Sequence, residues 1–340
     1  MREDGRIAAP APSGRIGWID TARGLGIVLV VIGHVERGLV DAGLAQGRGW
    51  LVFDTLLYSF HMALFMVLAG LHVPRSRARG RIPFLTAKLR TVYYPYLLWS
   101  LVQGVMLVAL SSAANNGAQW SDVWQIPWRP MWHFWFLAAL MLYMLLVAMT
   151  GVRPALLVAA ALAALAVAQS MEIGGSLLYR ILYYLPFFVI GILLAKPIMA
   201  WRPARPLLLA IALAGGWALS LLLLPWRIPH GYMALAAIPS ALLGTAAMLC
   251  LAQATGGVPG RALALVGRWS LSIYVMHVLF AAAMRMVLLR YAPAMPVLLL
   301  CGLCIAAGLA GPMIVHAVAQ RLRLLALLGI GQDAARADRA

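Results

Sequence analysis

The sequence predicts an all-α polytopic membrane protein with about ten transmembrane helices and with both termini in the cytoplasm. The first observation is composition: 64% of the 340 residues are hydrophobic and 11% are charged, and the mean hydropathy is +0.89. These values exclude an ordinary soluble domain and a disordered chain. The second observation is a series of apolar runs, each close to the roughly 20 residues that a span needs.

Short polar breaks separate these runs and define one membrane domain over residues 17–321. We expect cytoplasmic tails at 1–16 and 322–340. The run ALLVAAALAALAVAQ is the plainest lipid-facing helix. The predicted spans are 17–40, 50–73, 90–112, 132–149, 153–170, 177–195, 205–224, 231–252, 264–290 and 296–320.

The distribution of basic residues is the third observation, and it sets the orientation. With ten spans and a cytoplasmic N-terminus, twenty Arg and Lys residues fall on the cytoplasmic side and seven, among them Arg37 and Arg180, on the other. This positive-inside bias supports the count. It also accounts for the net charge of +17, because the basic residues lie in short loops. We therefore expect membrane lipids, and not nucleic acid, as partners.

The first predicted span carries polar residues that a lipid-facing helix would exclude. Arg23 and His34 are eleven residues apart, close to three helical turns, so they share one face about 16 Å apart along the axis. Asp20 lies near the same stripe and could orient Arg23. A charged side chain at mid-bilayer costs roughly 2.5–3.5 kcal/mol, so such residues usually face a bundle interior and mark function. Glu36 points to another face, and its partner stays open.

Other histidines occur in the predicted spans. His61, in the second span, is expected at a level similar to His34, and the two could share a polar cavity if these helices are neighbours. The alternative for any membrane histidine is a structural hydrogen bond between helices. That interpretation is favoured for the histidines at positions 72, 230 and 316 and is equally weighted for His61 and His277.

Two further groups could contact a substrate. His277 lies near the middle of the ninth span, with Ser270 and Tyr274 on a similar face. At the outer end of the fourth span, the stretch WHFWFL contributes Trp132, His133 and Trp135. Outer tryptophans can stack on sugars, but an interfacial aromatic belt is the favoured interpretation for the loop tryptophans at 120, 124, 128 and 132.

The second cytoplasmic loop, VPRSRARGRIPFLTAKLRTVYYPY, is rich in basic residues. It could hold a phosphorylated ligand, because arginine binds phosphate through paired hydrogen bonds. The equally weighted alternative is that these charges only set topology. The sequence has no HExxH and no CxxC near histidines, so we expect no metal. The basic residues of the loop are Arg75, Arg77, Arg79, Arg81, Lys88 and Arg90.

Six blocks, in order over about 17–280, resemble the acyltransferase-3 family, integral-membrane O-acyltransferases that include fucose 4-O-acetylase-like proteins. WIDTARGLGIVLVVIGHV resembles the first-helix signature, a basic residue, ten residues and then His. Three positions depart from the family pattern: Ala63 replaces a frequent Pro, Ala69 a frequent Ser, and Thr91 interrupts an expected basic pair. The other five blocks are FHMALFMVLAGL, KLRTVYYPYLLW, WHFWFLAALML, YLPFFVIGILL and VGRWSLSIYVMHVLF.

The resemblance implies transfer of an acyl group, most often acetyl, from cytoplasmic acyl-coenzyme A to a hydroxyl of a glycan, a lipid-linked sugar or another cell-envelope acceptor. It also implies a bacterial inner-membrane location. Histidine, with an ordinary pKa near 6.5, suits deprotonation of a hydroxyl, so we expect His34 to be the general base; an acyl-histidine is the alternative. Arg23 would hold coenzyme A phosphate, with the basic loop as a wider funnel. His61 could position the acceptor or polarise the thioester.

Two other classes of function stay open at this point. Buried histidines also serve proton relays in transporters and flippases, although the sequence has no paired broken spans typical of a midplane site. A non-catalytic scaffold would leave Arg23 and His34 unexplained. For an acyltransferase, the residues expected to contact the acceptor are Asp20, Glu36, Trp132, His133, Trp135, Ser270, Tyr274 and His277. The sequence does not predict an oligomeric state.

Overall fold

The computed structural model describes residues 17–109, 119–174, 176–226 and 229–331. These ranges are helical and contain no β-strand. Their α-helices, in chain order, are α1 (Gly17–Asp41), α2 (Arg48–Tyr58), α3 (His61–Leu71), α4 (Val73–Arg77), α5 (Arg81–Lys88), α6 (Tyr94–Ala109), α7 (Trp120–Gln125), α8 (Trp135–Thr150), α9 (Pro154–Gln169), α10 (Leu177–Leu193), α11 (Ala195–Ala200), α12 (Pro206–Ser220), α13 (Ile238–Ala254), α14 (Gly257–Arg268), α15 (Ser270–Tyr291) and α16 (Val297–Arg321).

Eight helical segments of the described chain are long and apolar enough to cross a membrane. The predicted fifth and sixth spans correspond to shorter apolar helices, α9 and α10. The all-α, multi-pass membrane fold is therefore confirmed. The eight segments are Gly17–Asp41, Arg48–Arg77, Arg81–Ala109, Trp132–Thr150, Pro206–Leu223, Leu235–Ala254, Ser270–Tyr291 and Val297–Arg321.

Breaks divide two of the predicted spans. The second is interrupted between α2 and α3, where the Ser59 hydroxyl donates to the Leu56 carbonyl (2.7 Å) and accepts from the Trp217 indole (3.0 Å). The ninth span was predicted to begin at about 264, within α14; that helix ends at Arg268, and α15, which forms the span, begins two residues later. Trp269, at that junction, stacks on the His316 ring, with centroids 4.6 Å apart.

Residues 322–331 of the predicted C-terminal tail pack against the start of α6. The Tyr94 hydroxyl donates to the Leu327 carbonyl (2.6 Å), and the Trp99 indole donates to the Leu328 carbonyl (2.9 Å). Ile330 is buried beside them. The tail predictions for 1–16 and 332–340 lie outside the described residues.

Helix α1 lies at the centre of the bundle and packs against α2, α3, α13, α14, α15 and α16. Its closest neighbour is α14. A Cβ atom at Gly24 would lie 2.0 Å from the Leu263 carbonyl oxygen, and one at Gly267 would lie 1.8 Å from the Asp20 carbonyl oxygen. Only glycine permits this approach of the two backbones. The crossing fixes the turn of α1 that carries Asp20 and Arg23.

We expect Gly267→Ala to lower the free energy of unfolding by about 1–3 kcal/mol, because the added methyl group has no space between α1 and α14. The matched control is Gly302→Ala in α16, where a Cβ atom would meet no heavy atom within 4 Å. Thermal unfolding of the two purified variants in the same detergent measures the difference. Equal melting temperatures for both variants would contradict the close crossing.

Candidate active site

Three histidine rings from different parts of the chain meet in the bundle. The ring centroid of His34 lies 4.9 Å from that of His277 and 5.5 Å from that of His133, and the last two are 5.2 Å apart. Each pair meets edge to face. His34 comes from α1, His277 from α15, and His133 from a 3-10 turn, Trp132–Phe134, that precedes α8. We call these residues the histidine cluster.

In two of these rings, hydrogen bonds determine which nitrogen of the neutral imidazole carries the proton. Nδ1 of His34 donates to the Val30 carbonyl (2.9 Å), and Nδ1 of His277 to the carbonyls of Ile273 and Tyr274 (3.0 and 2.8 Å). A carbonyl oxygen can only accept, so Nδ1 carries the proton and the neutral ring keeps its lone pair on Nε2. Each of these rings can therefore accept a proton at Nε2.

The turn that supplies His133 is bonded to α15 and has an unusual backbone conformation. The Tyr274 hydroxyl donates to the His133 carbonyl, and Trp132 adopts a left-handed backbone conformation, with φ of 38°. A bulky residue rarely adopts such a φ, and conformations of this kind cluster at functional sites. Gln103 of α6 also anchors this region, since its side-chain amide donates to the Val275 carbonyl (2.6 Å).

Two cavities approach the histidine cluster from opposite ends of α1. The Arg23 cavity, of about 190 Å³, runs along α1 past Ile27 and is otherwise mainly apolar. The His34 cavity, of about 490 Å³, extends from the cluster toward Asp41. Its wall includes Trp132, His133 and Trp135. Both cavities are lined by Val30, Met62 and Tyr274, so they adjoin one turn of α1 away from His34.

The residues around Arg23 form the far end of the smaller cavity. Asp20 lies 3.6 Å from the Arg23 guanidinium, and the His72 ring nitrogens lie 3.4 and 3.5 Å from it. The sequence favoured a structural role for His72 and gave no sign of this contact. Lys88 is near both Arg23 and Arg79, so several positive charges converge here.

The remaining basic residues of the loop lie on α4, on α5, in the turn between these two helices and in the π-helix Leu89–Tyr93. Thr91, in that π-helix, lines the Arg23 cavity together with Ser270. Single π-helical turns frequently occur at functional sites. The side chains of Arg75, Arg79, Arg81 and Arg90 are exposed, and that of Arg77 is half-buried.

A network at the opposite end of α1 was not predicted. Arg37, one turn after His34, donates to both carboxylate oxygens of Asp54 (2.6 and 3.1 Å) and to the Tyr232 hydroxyl (2.9 Å). Its guanidinium also lies 3.3 Å from the Tyr58 ring centroid. The sequence signal was the i, i+3 spacing from His34, which places the two side chains on one face. The charge count had treated Arg37 only as an outer-side residue.

Several residues predicted for the site line neither cavity: besides the basic residues of the loop, these are Asp20, Glu36, His61 and His277. His61 is fully buried, its Nδ1 donates to the Leu57 carbonyl (2.7 Å), and its ring packs 4.5 Å from Tyr58. It lines neither cavity, although Tyr58, its neighbour, lines the larger one. Glu36 is also buried and lines neither cavity, and its Oε2 has no hydrogen-bond partner within the described ranges. Their predicted roles stay predictions.

Two other histidines have structural contacts. His316 is bonded to Ser272 (2.7 Å), in keeping with the role favoured for it. His230, in the loop before α13, bonds the Tyr232 hydroxyl (3.0 Å). Burial, and then the cations Arg180 and Arg37, lower the pKa of His230 below its ordinary value. Across the part of the chain that is described, no group of His, Cys, Asp and Glu side chains has the arrangement of a metal site.

Comparisons with known proteins give one match. The family model for the acyltransferase domain of the acyltransferase-3 type matches residues 16–315, which is nearly the whole chain. Searches of curated proteins and of solved structures found no match. The resemblance carried by the six sequence blocks is therefore confirmed. The chain belongs to the acyltransferase-3 family and is a multi-pass membrane acyltransferase.

Proposed function

We propose that this protein transfers an acetyl group from cytoplasmic acetyl-coenzyme A to a hydroxyl of a glycan or lipid-linked sugar of the cell envelope, in a bacterial inner membrane. The observation that carries the proposal is the position of His34, on the wall of the larger cavity and one turn from the point where the smaller cavity adjoins it. A donor that enters from one end and an acceptor that enters from the other would meet beside this ring.

The reaction needs one base and no covalent intermediate on the protein. Nε2 of His34 takes the proton of the acceptor hydroxyl while that oxygen bonds to the carbonyl carbon of the thioester. The tetrahedral intermediate collapses, the carbon–sulfur bond breaks, and the coenzyme A thiolate leaves. The thiolate takes the proton from His34, so the products are the O-acetyl ester and free coenzyme A. The lone pair on Nε2, fixed by the Val30 hydrogen bond, supports this assignment.

The Arg23 end of α1 suits the donor. Coenzyme A carries phosphates, and a guanidinium binds phosphate through two parallel hydrogen bonds. Arg23, held beside Asp20 and His72, would bind one phosphate group, with Lys88 and the arginines of the basic loop raising the local anion concentration. The apolar Arg23 cavity would then receive the uncharged arm that ends in the thioester.

The larger cavity suits the acceptor. Trp132 and Trp135 line it, and indole rings offer flat apolar faces to the carbon–hydrogen faces of a sugar. His133, which lines this cavity, would orient the hydroxyl or the thioester carbonyl by a hydrogen bond. Its Nε2 atom has no partner among the described residues, so it has a hydrogen bond to gain from a bound substrate. His277 lines neither cavity and would act by packing against the other two rings of the cluster.

Donor binding and thiol release test the proposal. Acetyl-coenzyme A should raise the melting temperature of the purified protein, because a ligand that binds only the folded state stabilises it. Addition of an acceptor sugar should then release free thiol in proportion to ester formed, measured by a thiol reagent and by mass spectrometry. A transporter would give neither response. A melting temperature with acetyl-coenzyme A equal to that in buffer alone, together with no release of thiol after the acceptor is added, would contradict the proposal.

A further inference from the structure

The His34 cavity has an excess of positive charge on its wall. Three arginines from three helices line it: Arg37 of α1, Arg180 of α10 and Arg285 of α15. One carboxylate, Asp41, lies on the same wall and is close enough to Arg285 to interact electrostatically. The acetyl-transfer chemistry at His34 uses none of these arginines.

The arginines are held in different ways. Nε and Nη2 of Arg37 donate to the carboxylate of Asp54, a residue that does not line the cavity. Arg285 donates to the Gly38 carbonyl of α1, so its guanidinium is tied to the turn that follows His34. The Nε atom of Arg180 is buried and has no hydrogen-bond partner within the described ranges. A buried donor of this kind costs free energy until a ligand or water satisfies it.

An arginine cluster of this kind matches an anion. The guanidinium fork fits phosphate and carboxylate oxygens, and the interaction is stronger where the surroundings exclude water. The remainder of the wall is largely apolar, with Met106, Leu279 and Met286 among the lining residues. A neutral sugar would offer only uncharged oxygens to these arginines, whereas an anionic group beside the reacting hydroxyl would also balance their positive charge.

We propose that the acceptor is anionic and that Arg180 and Arg285 bind its phosphate or carboxylate group in the His34 cavity. This inference rests on the proposed function, because it names the class of acceptor that enters this cavity. The two sources of the charge are the phosphate of a lipid-linked sugar and the carboxylate of an acidic sugar.

Binding to the full-length protein in nanodiscs, without acyl donor, tests the inference. The probes are methyl glucoside, glucuronic acid, glucose 1-phosphate and a polyprenyl-phosphate-linked glucose. The change in tryptophan fluorescence of the protein measures the binding of each probe. We expect at least one anionic probe to bind about tenfold or more tightly than methyl glucoside, the size expected for one charge-assisted hydrogen bond. Tightest binding of the lipid-linked probe assigns the charge to a lipid phosphate, and tightest binding of glucuronic acid assigns it to an acidic sugar.

Variants separate the arginine cluster from general charge. The anion preference is the affinity for the anionic probe divided by that for methyl glucoside. Arg180→Gln and Arg285→Gln should each lower this ratio about tenfold, and Arg180→Lys should retain part of the preference. Arg290→Gln, an exposed arginine later in α15, is the matched control and should keep the full preference. Equal binding of all four probes by the wild type would overturn the inference, as would an unchanged preference in Arg180→Gln and Arg285→Gln.

The readout is independent of catalysis. A protein that prefers anionic probes but transfers no acetyl group would contradict the proposed function and leave standing only the binding of an anion by Arg180 and Arg285. A protein that acetylates a neutral sugar and shows no anion preference would do the reverse.

Discussion

His34→Ala should reduce acetyl transfer by roughly 10²–10⁴-fold, the contribution of a general base in a positioned site. The ring is the base of the proposed reaction, and the Val30 hydrogen bond fixes its proton on Nδ1. Without it, the acceptor hydroxyl would have to attack while still protonated. The loss should fall on kcat, since in the proposed reaction the donor phosphates bind at the other end of α1. Thiol release at saturating acetyl-coenzyme A, with donor Kd measured separately, checks both statements.

A second histidine provides the matched control. His316→Gln alters a histidine that bonds Ser272 and stacks on Trp269, and it should retain turnover while its melting temperature reports any loss of stability. His34→Asn, which keeps a donor near the Val30 carbonyl, should be as inactive as His34→Ala. Turnover of His34→Ala near that of the wild type, with normal folding, would rule out the base assignment.

Helical periodicity explains which part of the site could be predicted. The spacing of Arg23 and His34 is a local property of one helix, and both side chains line cavities that adjoin along α1. The same holds for Ser270 and Tyr274 on α15, which line the Arg23 cavity. The family blocks cover these helices, so the membrane fold and the acyltransferase assignment also followed from the sequence.

Contacts between helices could not be predicted in this way. His133 and His277 were placed in separate groups, because nothing local brings a turn before α8 to the middle of α15. His61 was expected at a level similar to that of His34, but depth does not fix rotation about the helix axis, and nothing in the sequence indicates that its ring packs against Tyr58. Arg37 and Arg180 were assigned to topology because a charge count records only the side of the membrane.

Arg23→Ala should weaken acetyl-coenzyme A binding by roughly 10²-fold, the loss expected when two charge-assisted hydrogen bonds to a phosphate are removed. Turnover at saturating donor should change little, because Arg23 lies about 16 Å along α1 from His34, the proposed base. Arg23→Lys should recover only part of the affinity, since an ammonium group lacks the planar fork. Isothermal titration with a non-transferable acyl-coenzyme A analogue measures these affinities.

The ionic-strength dependence separates the specific contact of Arg23 from the wider charge of the loop. Removal of an exposed loop arginine, as in Arg81→Ala, should lower the association rate mainly at low salt, because exposed charges are screened within about 8 Å at physiological ionic strength. Arg23→Ala should instead raise the dissociation rate at every salt concentration, because a bound phosphate would lose direct hydrogen bonds. Arg321→Ala, an exposed position at the end of α16, should change neither rate. If Arg23→Ala binds the donor at high salt with the same affinity as the wild type, Arg23 makes no direct contact with the phosphate and acts only through its charge, like the exposed arginines of the loop.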